Sequence, residues 1–263
     1  MKIVIAGGHG LVGSKIVARL TAQGHDAIAV SRRNGVNTMT GEGLDIALAD
    51  SDVLIDATNA PDFDEPVVFD FFALSTLNML RASVRAGIRH YVALSVVGAR
   101  RLPASAYFRA KDMQERLVLG SEVPHTVVQA TQFYEFMANI IPPGQNKDPV
   151  RLPGAQVQPV AAADVAQLIA EIATKPPSSV VQIAGPESFR LNELVQWVMY
   201  SYQDYRPVIV DDDVVYYGAP LEERALMADQ GAVPGETIFK DWLDGYLSGS
   251  VGLPTVHHPH PMR

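Results

Sequence analysis

The sequence predicts an α/β fold, a doubly wound parallel sheet with a small C-terminal lobe. Three observations carry that prediction. An apolar N-terminal run passes into a glycine cluster and then into a helix-like pattern. Short apolar runs alternate with helical periodicity through the first two thirds. The last third is looser, aromatic and turn-rich.

The first strand covers residues 2–6, where Ile3, Val4 and Ile5 are β-branched and apolar. Gly7, Gly8, Gly10 and Gly13 follow, and a helix is expected over 11–23. Gly7 lets the chain turn sharply off the strand. Gly10 leaves backbone bare at the helix N-terminus, and Gly13 lets the helix pack closely. Two spacings are open, Gly8-x-Gly10-x-x-Gly13 and Gly7-x-x-Gly10-x-x-Gly13. The second is favoured because Gly7 directly follows the strand, and Gly8 then fills a slot where a small residue suffices.

Further strands are expected near 26–31, 52–56, 89–94 and 125–130, with helices near 66–86 and 104–119 and a weaker one over 43–50. Asp52-Val-Leu-Ile-Asp56 and Tyr91-Val-Ala-Leu-Ser95 suit parallel strands covered on both faces, and the order implies right-handed crossovers. Strands at 157–160 and 180–183 bracket a helix near 162–174, which Asp164 helps start. Beyond 186, helices at 191–202 and 235–247 surround a strand at 207–210. The predicted organisation is a dinucleotide-binding domain over 1–185 with a lobe insertion around 132–156, then a small substrate lobe over 186–250. Open α/β sheets place ligands at the carboxyl ends of their strands, under such a lobe. Residues 141–146 read as a turn-rich loop, and 251–263, with His257, His258 and His260, as a disordered, solvated tail that holds no metal.

Composition narrows the class. No run approaches the ~18 apolar residues of a membrane span, and the N-terminus lacks the pattern of a signal peptide. A cytoplasmic enzyme is expected. The absence of cysteine removes disulfide and thiolate chemistry. A net charge of −8 argues against nucleic-acid binding through phosphate neutralisation. The expected partner is a small-molecule substrate, with no membrane and with a homodimer as an option.

Strand, glycine loop and helix in this order form a nucleotide cradle, here Gly7, Gly8, His9, Gly10, Leu11, Val12 and Gly13. Sites that prefer NAD place an acidic residue at the end of the second strand. Ser31-Arg-Arg-Asn34 stands there instead, and Arg32 and Arg33 suit the 2′-phosphate of NADP. Tyr107-Phe-Arg-Ala-Lys111 is a Tyr-x-x-x-Lys pair on one helix face. An ammonium beside a phenol favours the phenolate, so a lowered Tyr107 pKa is expected, with Tyr107 as proton donor or acceptor. Ser95, at a strand end, could hydrogen-bond the same substrate oxygen. Phe133, Tyr134, Phe136 and Met137 are candidates for an apolar substrate wall, although such residues equally often fill a core.

The glycine loop, Ile55-Asp-Ala-Thr-Asn-Ala60, Leu94-Ser-Val-Val-Gly98, Tyr107-Phe-Arg-Ala-Lys111 and Gln158-Pro-Val-Ala-Ala-Ala-Asp-Val-Ala166 resemble an atypical short-chain dehydrogenase/reductase of the NmrA-like branch. The resemblance covers most of residues 1–200. It implies a Rossmann-type fold, a nicotinamide dinucleotide and a substrate site under a small C-terminal lobe. By position, Thr58, Asn59 and Ala60 would line the cofactor cleft, Tyr107 would be the acid/base and Lys111 would bind the nicotinamide ribose. The branch holds reductases of quinones and of small carbonyl or unsaturated compounds, and also redox-sensing regulators without catalysis. Fold alone does not choose between them. The intact Ser95, Tyr107 and Lys111 favour the enzyme.

Overall fold

The computed structural model describes residues 1–141 and 148–249, so most of the expected loop at 141–146 and all of the tail lie outside the described residues. The elements run β1 (Lys2–Ala6), α1 (Leu11–Ala22), β2 (Asp26–Val30), α2 (Leu44–Leu48), β3 (Val53–Asp56), α3 (Val67–Ala86), β4 (His90–Val96), α4 (Ala106–Leu119) and β5 (His125–Ala130). There follow β6 (Val150–Leu152), β7 (Gln156–Val157), α5 (Ala162–Ala173), β8 (Val180–Ala184), β9 (Phe189–Arg190), α6 (Leu191–Ser201), β10 (Val208–Val210), β11 (Val233–Pro234) and α7 (Phe239–Leu247). Segments of 3-10 helix cover Arg32–Asn34 and Tyr134–Ile140.

The main sheet has seven parallel strands flanked by helices, in the order β11-β8-β5-β4-β3-β1-β2. β1 pairs with β2 on one side, Ile5 opposite Ala29, and with β3 on the other, Ile5 opposite Ile55. The chain thus steps one way from β1 to β2 and the other way from β3 onward. The strand order reverses between β1 and β3, the switch point where such sheets leave a crevice. This is the Rossmann-type fold that the glycine loop and the short apolar runs predict.

The chain divides into two compact units. The first comprises Met1–Val96, Ala110–Gln129 and Ala162–Val181, and the second comprises Val97–Arg109, Ala130–Ala161 and the chain from Gln182 onward. Their segments alternate along the chain. Unit 1 has a core of Val4, Leu54, Met79, Tyr91, Val118 and Val127. α1 buries Val12, Ile16 and Leu20, four residues apart on one stripe, and packs against α5, which buries Val165, Ile169 and Ala173. α3 is long and apolar enough to cross a membrane by length and composition. It carries Asp70, Arg81 and Arg85, and it buries Val68, Phe72, Met79 and Ala82 as a core helix does.

Unit 2 has two small sheets, β10 with β6 and β7 with β9, and an aromatic core. Tyr134 packs edge-on against Phe239 with centroids 5.0 Å apart, and Phe239 against Trp197 at 5.3 Å. The strand expected at 157–160 reduces to Gln156–Val157, while Val160 bridges Phe133. β6, β9 and β11, two or three residues each, are too short for a period to show in sequence.

Candidate functional site

The glycine loop sits at the end of β1, beside the switch point. Gly7 adopts φ +75°, and its N–H donates to Val30 O at 3.1 Å, tying the turn to the end of β2. A Cβ at Gly7 would lie 2.6 Å from Ala57 O, and one at Gly13 would lie 2.2 Å from Gly7 O. Gly8 departs from expectation. Its Cβ would fall 2.7 Å from Ala29 Cα, so even alanine is excluded and glycine is required on packing grounds. Gly10 is different again. It is exposed, has φ −83°, and a Cβ there would meet only Gly7 O at 3.2 Å. Gly10 is the N-cap of α1, and among the described residues no side chain caps its N–H groups. Three glycines are thus demanded by the fold, while the fourth faces open space next to the free N–H groups of a twelve-residue helix. A dinucleotide pyrophosphate fits that cradle.

At the end of β2, Ser31 caps the Arg32–Asn34 turn. Its hydroxyl accepts from Arg33 N–H at 3.3 Å, and Asn34 Oδ1 accepts from Ser31 N–H at 2.7 Å. Arg32 and Arg33 are exposed, and neither forms an ion pair among the described residues. Their guanidiniums are available to an anion.

At the end of β3, Asp56 is fully buried and accepts four hydrogen bonds. Thr58 donates twice to Oδ1, from its N–H at 3.0 Å and its hydroxyl at 2.6 Å. Tyr91 OH (3.1 Å) and Gln114 Nε2 (2.9 Å) donate to Oδ2. This fixes the turn that carries Thr58, Asn59 and Ala60. The Gln114 amide, oriented by its bond to Asp56, turns Oε1 toward Lys111, whose ammonium donates to it and to Leu94 O at 2.9 Å. The Phe72 ring covers the same ammonium at 4.5 Å. Burial pulls Lys111 down to about 8, against the opposing pull of Asp56 and Glu115. Ser95 donates to Glu115 Oε1 at 2.6 Å, and Gln129 holds both oxygens of that carboxylate at 2.9 Å. Lys111 and Ser95 therefore spend their donors inside unit 1.

Asp56, Gln114 and Glu115 were not singled out in the sequence. A carboxylate ending the otherwise apolar strand Val53-Leu-Ile-Asp56, and polar residues three and four positions after Lys111, were the available signals.

Tyr107 lies one helical turn before Lys111, in the segment assigned to unit 2. Its ring packs against Tyr217 at 5.6 Å and Phe108 at 5.4 Å. Burial pushes the phenol up from its ordinary value of 10, contrary to the lowering expected of a phenol near an ammonium. Desolvation is the cause of that rise, and the Lys111 ammonium is turned to Leu94 O and Gln114 Oε1. Tyr134 is buried, with its hydroxyl on Thr237 O at 2.9 Å and its ring in the unit 2 core, whereas Phe133 and Phe136 form a half-buried pair 5.6 Å apart. Met137 is buried.

Comparison with known proteins agrees with this cradle. The family described as NAD(P)H-binding matches residues 7–176. A curated relative, the photosystem II assembly factor Ycf39 of Synechocystis sp., is 26% identical over 149 residues. That alignment covers 51% of this chain and 46% of the relative, so the chain spans about half of it. Among solved structures, the Thermus thermophilus UDP-glucose 4-epimerase in complex with NAD superposes with a TM-score of 0.71 at 18% identity, covering 95% of this chain and 100% of that one. A dTDP-4-dehydrorhamnose reductase from Clostridium acetobutylicum gives 0.70 at 15% identity, covering 95% and 99%. At such identities these likenesses speak for the fold.

Proposed function

The chain belongs to the NAD(P)H-binding family, and from that premise we propose that it is an NADP(H)-dependent reductase of a small, partly apolar carbonyl, quinone or unsaturated compound. The observation that carries this reading is the combination on one sheet edge of an open Gly10 face and the exposed Arg32 and Arg33. The first leaves room for the pyrophosphate, and the second offers two cations to a 2′-phosphate. The bound nicotinamide supplies hydride.

The protein's part in this reading is to bind, orient and move one proton. Asp56 fixes the Thr58–Asn59 turn against which the dinucleotide lies. Tyr107 is a neutral phenol at neutral pH and so has a proton to give to a carbonyl oxygen as hydride arrives, while burial, by raising its pKa, weakens it as an acid until a bound cofactor changes its surroundings. Lys111 has two of its three N–H groups on Gln114 and Leu94, and Ser95 donates its one proton to Glu115, so Ser95 donates to a substrate oxygen only by leaving that carboxylate.

These inward commitments favour a second reading, a dinucleotide-binding regulator that performs no turnover. The likeness over about half its length to a protein named as an assembly factor supports the same alternative. The test is single-turnover NADPH oxidation across quinones, aldehydes and enones, beside a direct NADPH titration. Oxidation by any of these acceptors supports the reductase. Tight NADPH binding with no oxidation by any acceptor supports the regulator.

A further inference from the structure

Tyr217 stands in a conformation that tyrosine disfavours. The N–H of Tyr216 donates to Ala219 O at 2.7 Å and the N–H of Ala219 to Tyr216 O at 3.0 Å, closing a two-residue loop of Tyr217 and Gly218. Both loop residues are left-handed, with φ +49° and +79°. This is the type I′ turn, whose first position ordinarily takes Asn, Asp or Gly. A bulky residue there works against its own backbone preference, and such strain persists where the surroundings hold it in place.

What the turn delivers is a ring. Tyr217 lies against the Tyr107 ring at 5.6 Å with 31° between planes, and edge-on to Phe108 at 6.2 Å and to Tyr216 at 4.8 Å. Tyr216 in turn meets Phe108 at 6.3 Å. Four rings from two distant stretches of unit 2 form one cluster, in which Phe108 and Tyr217 lie directly against Tyr107. We propose that Tyr217 is the positioning residue for Tyr107: the strained turn presses its ring onto the proton donor, fixing that donor's orientation and keeping water from it. The proposal rests on the reading of Tyr107 as the acid.

Orientation of the donor matters because proton transfer needs the hydroxyl within hydrogen-bond reach of the reacting oxygen. Exclusion of water has a direct readout, because it is burial that raises the Tyr107 phenol. The titratable groups around it are Tyr216 and Tyr217, both pushed up by burial themselves, and Lys111 on the next turn of α4.

The experiment uses the full chain and two variants. Tyr217→Asn removes the ring and suits the left-handed turn, and Tyr217→Phe keeps the ring. With ring-carbon-labelled tyrosine, the Tyr107 signal is assigned by its loss in Tyr107→Phe, and its titration is followed by NMR. In Tyr217→Asn the Tyr107 titration should move down toward the ordinary tyrosine value. In Tyr217→Phe it should stay where it is in the wild type. Turnover of NADPH with menadione gives the second readout. Tyr217→Asn should lower kcat about tenfold or more, leave the NADPH dissociation constant unchanged and add nothing to the loss in Tyr107→Phe. An unchanged Tyr107 titration in Tyr217→Asn overturns the proposal, as does a loss of activity that tracks loss of folded protein. A Tyr107→Phe variant with full activity would instead remove the acid assignment and leave the titration result standing.

Discussion

Lys111 carries its charge into the interior of unit 1, where Leu94, Gln114 and the Phe72 ring take up its donors. The Tyr-x-x-x-Lys spacing showed in the sequence, but the partners did not, because they come from β4, α3 and the same helix face at once. Tyr107 was legible as a residue type, while its raised pKa comes from burial among rings that include Tyr217, 110 positions away. If it is the donor, Tyr107→Phe should bind NADPH as the wild type does and lose roughly 10²–10⁴-fold in single-turnover rate. An unchanged rate would remove the assignment. That Arg32 and Arg33 stand on an exposed turn was readable, since such a turn needs no tertiary knowledge, and their role toward a 2′-phosphate is open to a direct test. Replacing both with alanine should weaken NADPH about ten- to a hundredfold and leave NADH nearly unaffected, by calorimetry. Equal losses for both nucleotides would mean that the arginines do not meet the 2′-phosphate.

At the level of elements, β1, α1 and the switch point followed from an apolar run and a glycine cluster, because strand and helix periods are local. The roles within the cluster were less accessible. Gly8 looked tolerant in sequence, yet Ala29 of the neighbouring strand leaves no room for a Cβ. The structure separates the glycines by experiment. Gly10→Ala, with negative φ and a single contact at 3.2 Å, should remain folded while NADPH affinity falls strongly. Gly13→Ala places a methyl 2.2 Å from Gly7 O and should lower the melting temperature before affinity can be asked about. A folded Gly10→Ala that titrates like the wild type would reduce the loop to a structural turn.

At the scale of the whole molecule, the buried lysine and tyrosines set how stability responds to alkali. Lys111 has a folded pKa of about 8 against an ordinary 10.5, so between those values the unfolded chain binds more protons at this site. Stability therefore rises with pH across that window, as the cost of burying the ammonium disappears. Tyr91, Tyr107, Tyr216 and Tyr217 are raised above their ordinary 10 and act in the opposite sense, with stability lost once pH passes that value. The lysine effect is therefore clearest from pH 8 to pH 10. Urea midpoints over that range should climb in the wild type and climb less in Lys111→Met. Parallel slopes for the two proteins would show that the ammonium is not held as the structure has it.

The interleaving of the two units bears on how the chain is made. α1 packs on α5, and 139 residues separate Ala22 from Ala162. At synthesis rates of ~5–20 residues per second, the first helix waits roughly 7–30 s for its partner to leave the ribosome. Through that interval the face of α1 that α5 will cover stays open to any chaperone that reads exposed apolar surface. The helix that starts beside Gly10 is thus secured on this side only after α5 has been made.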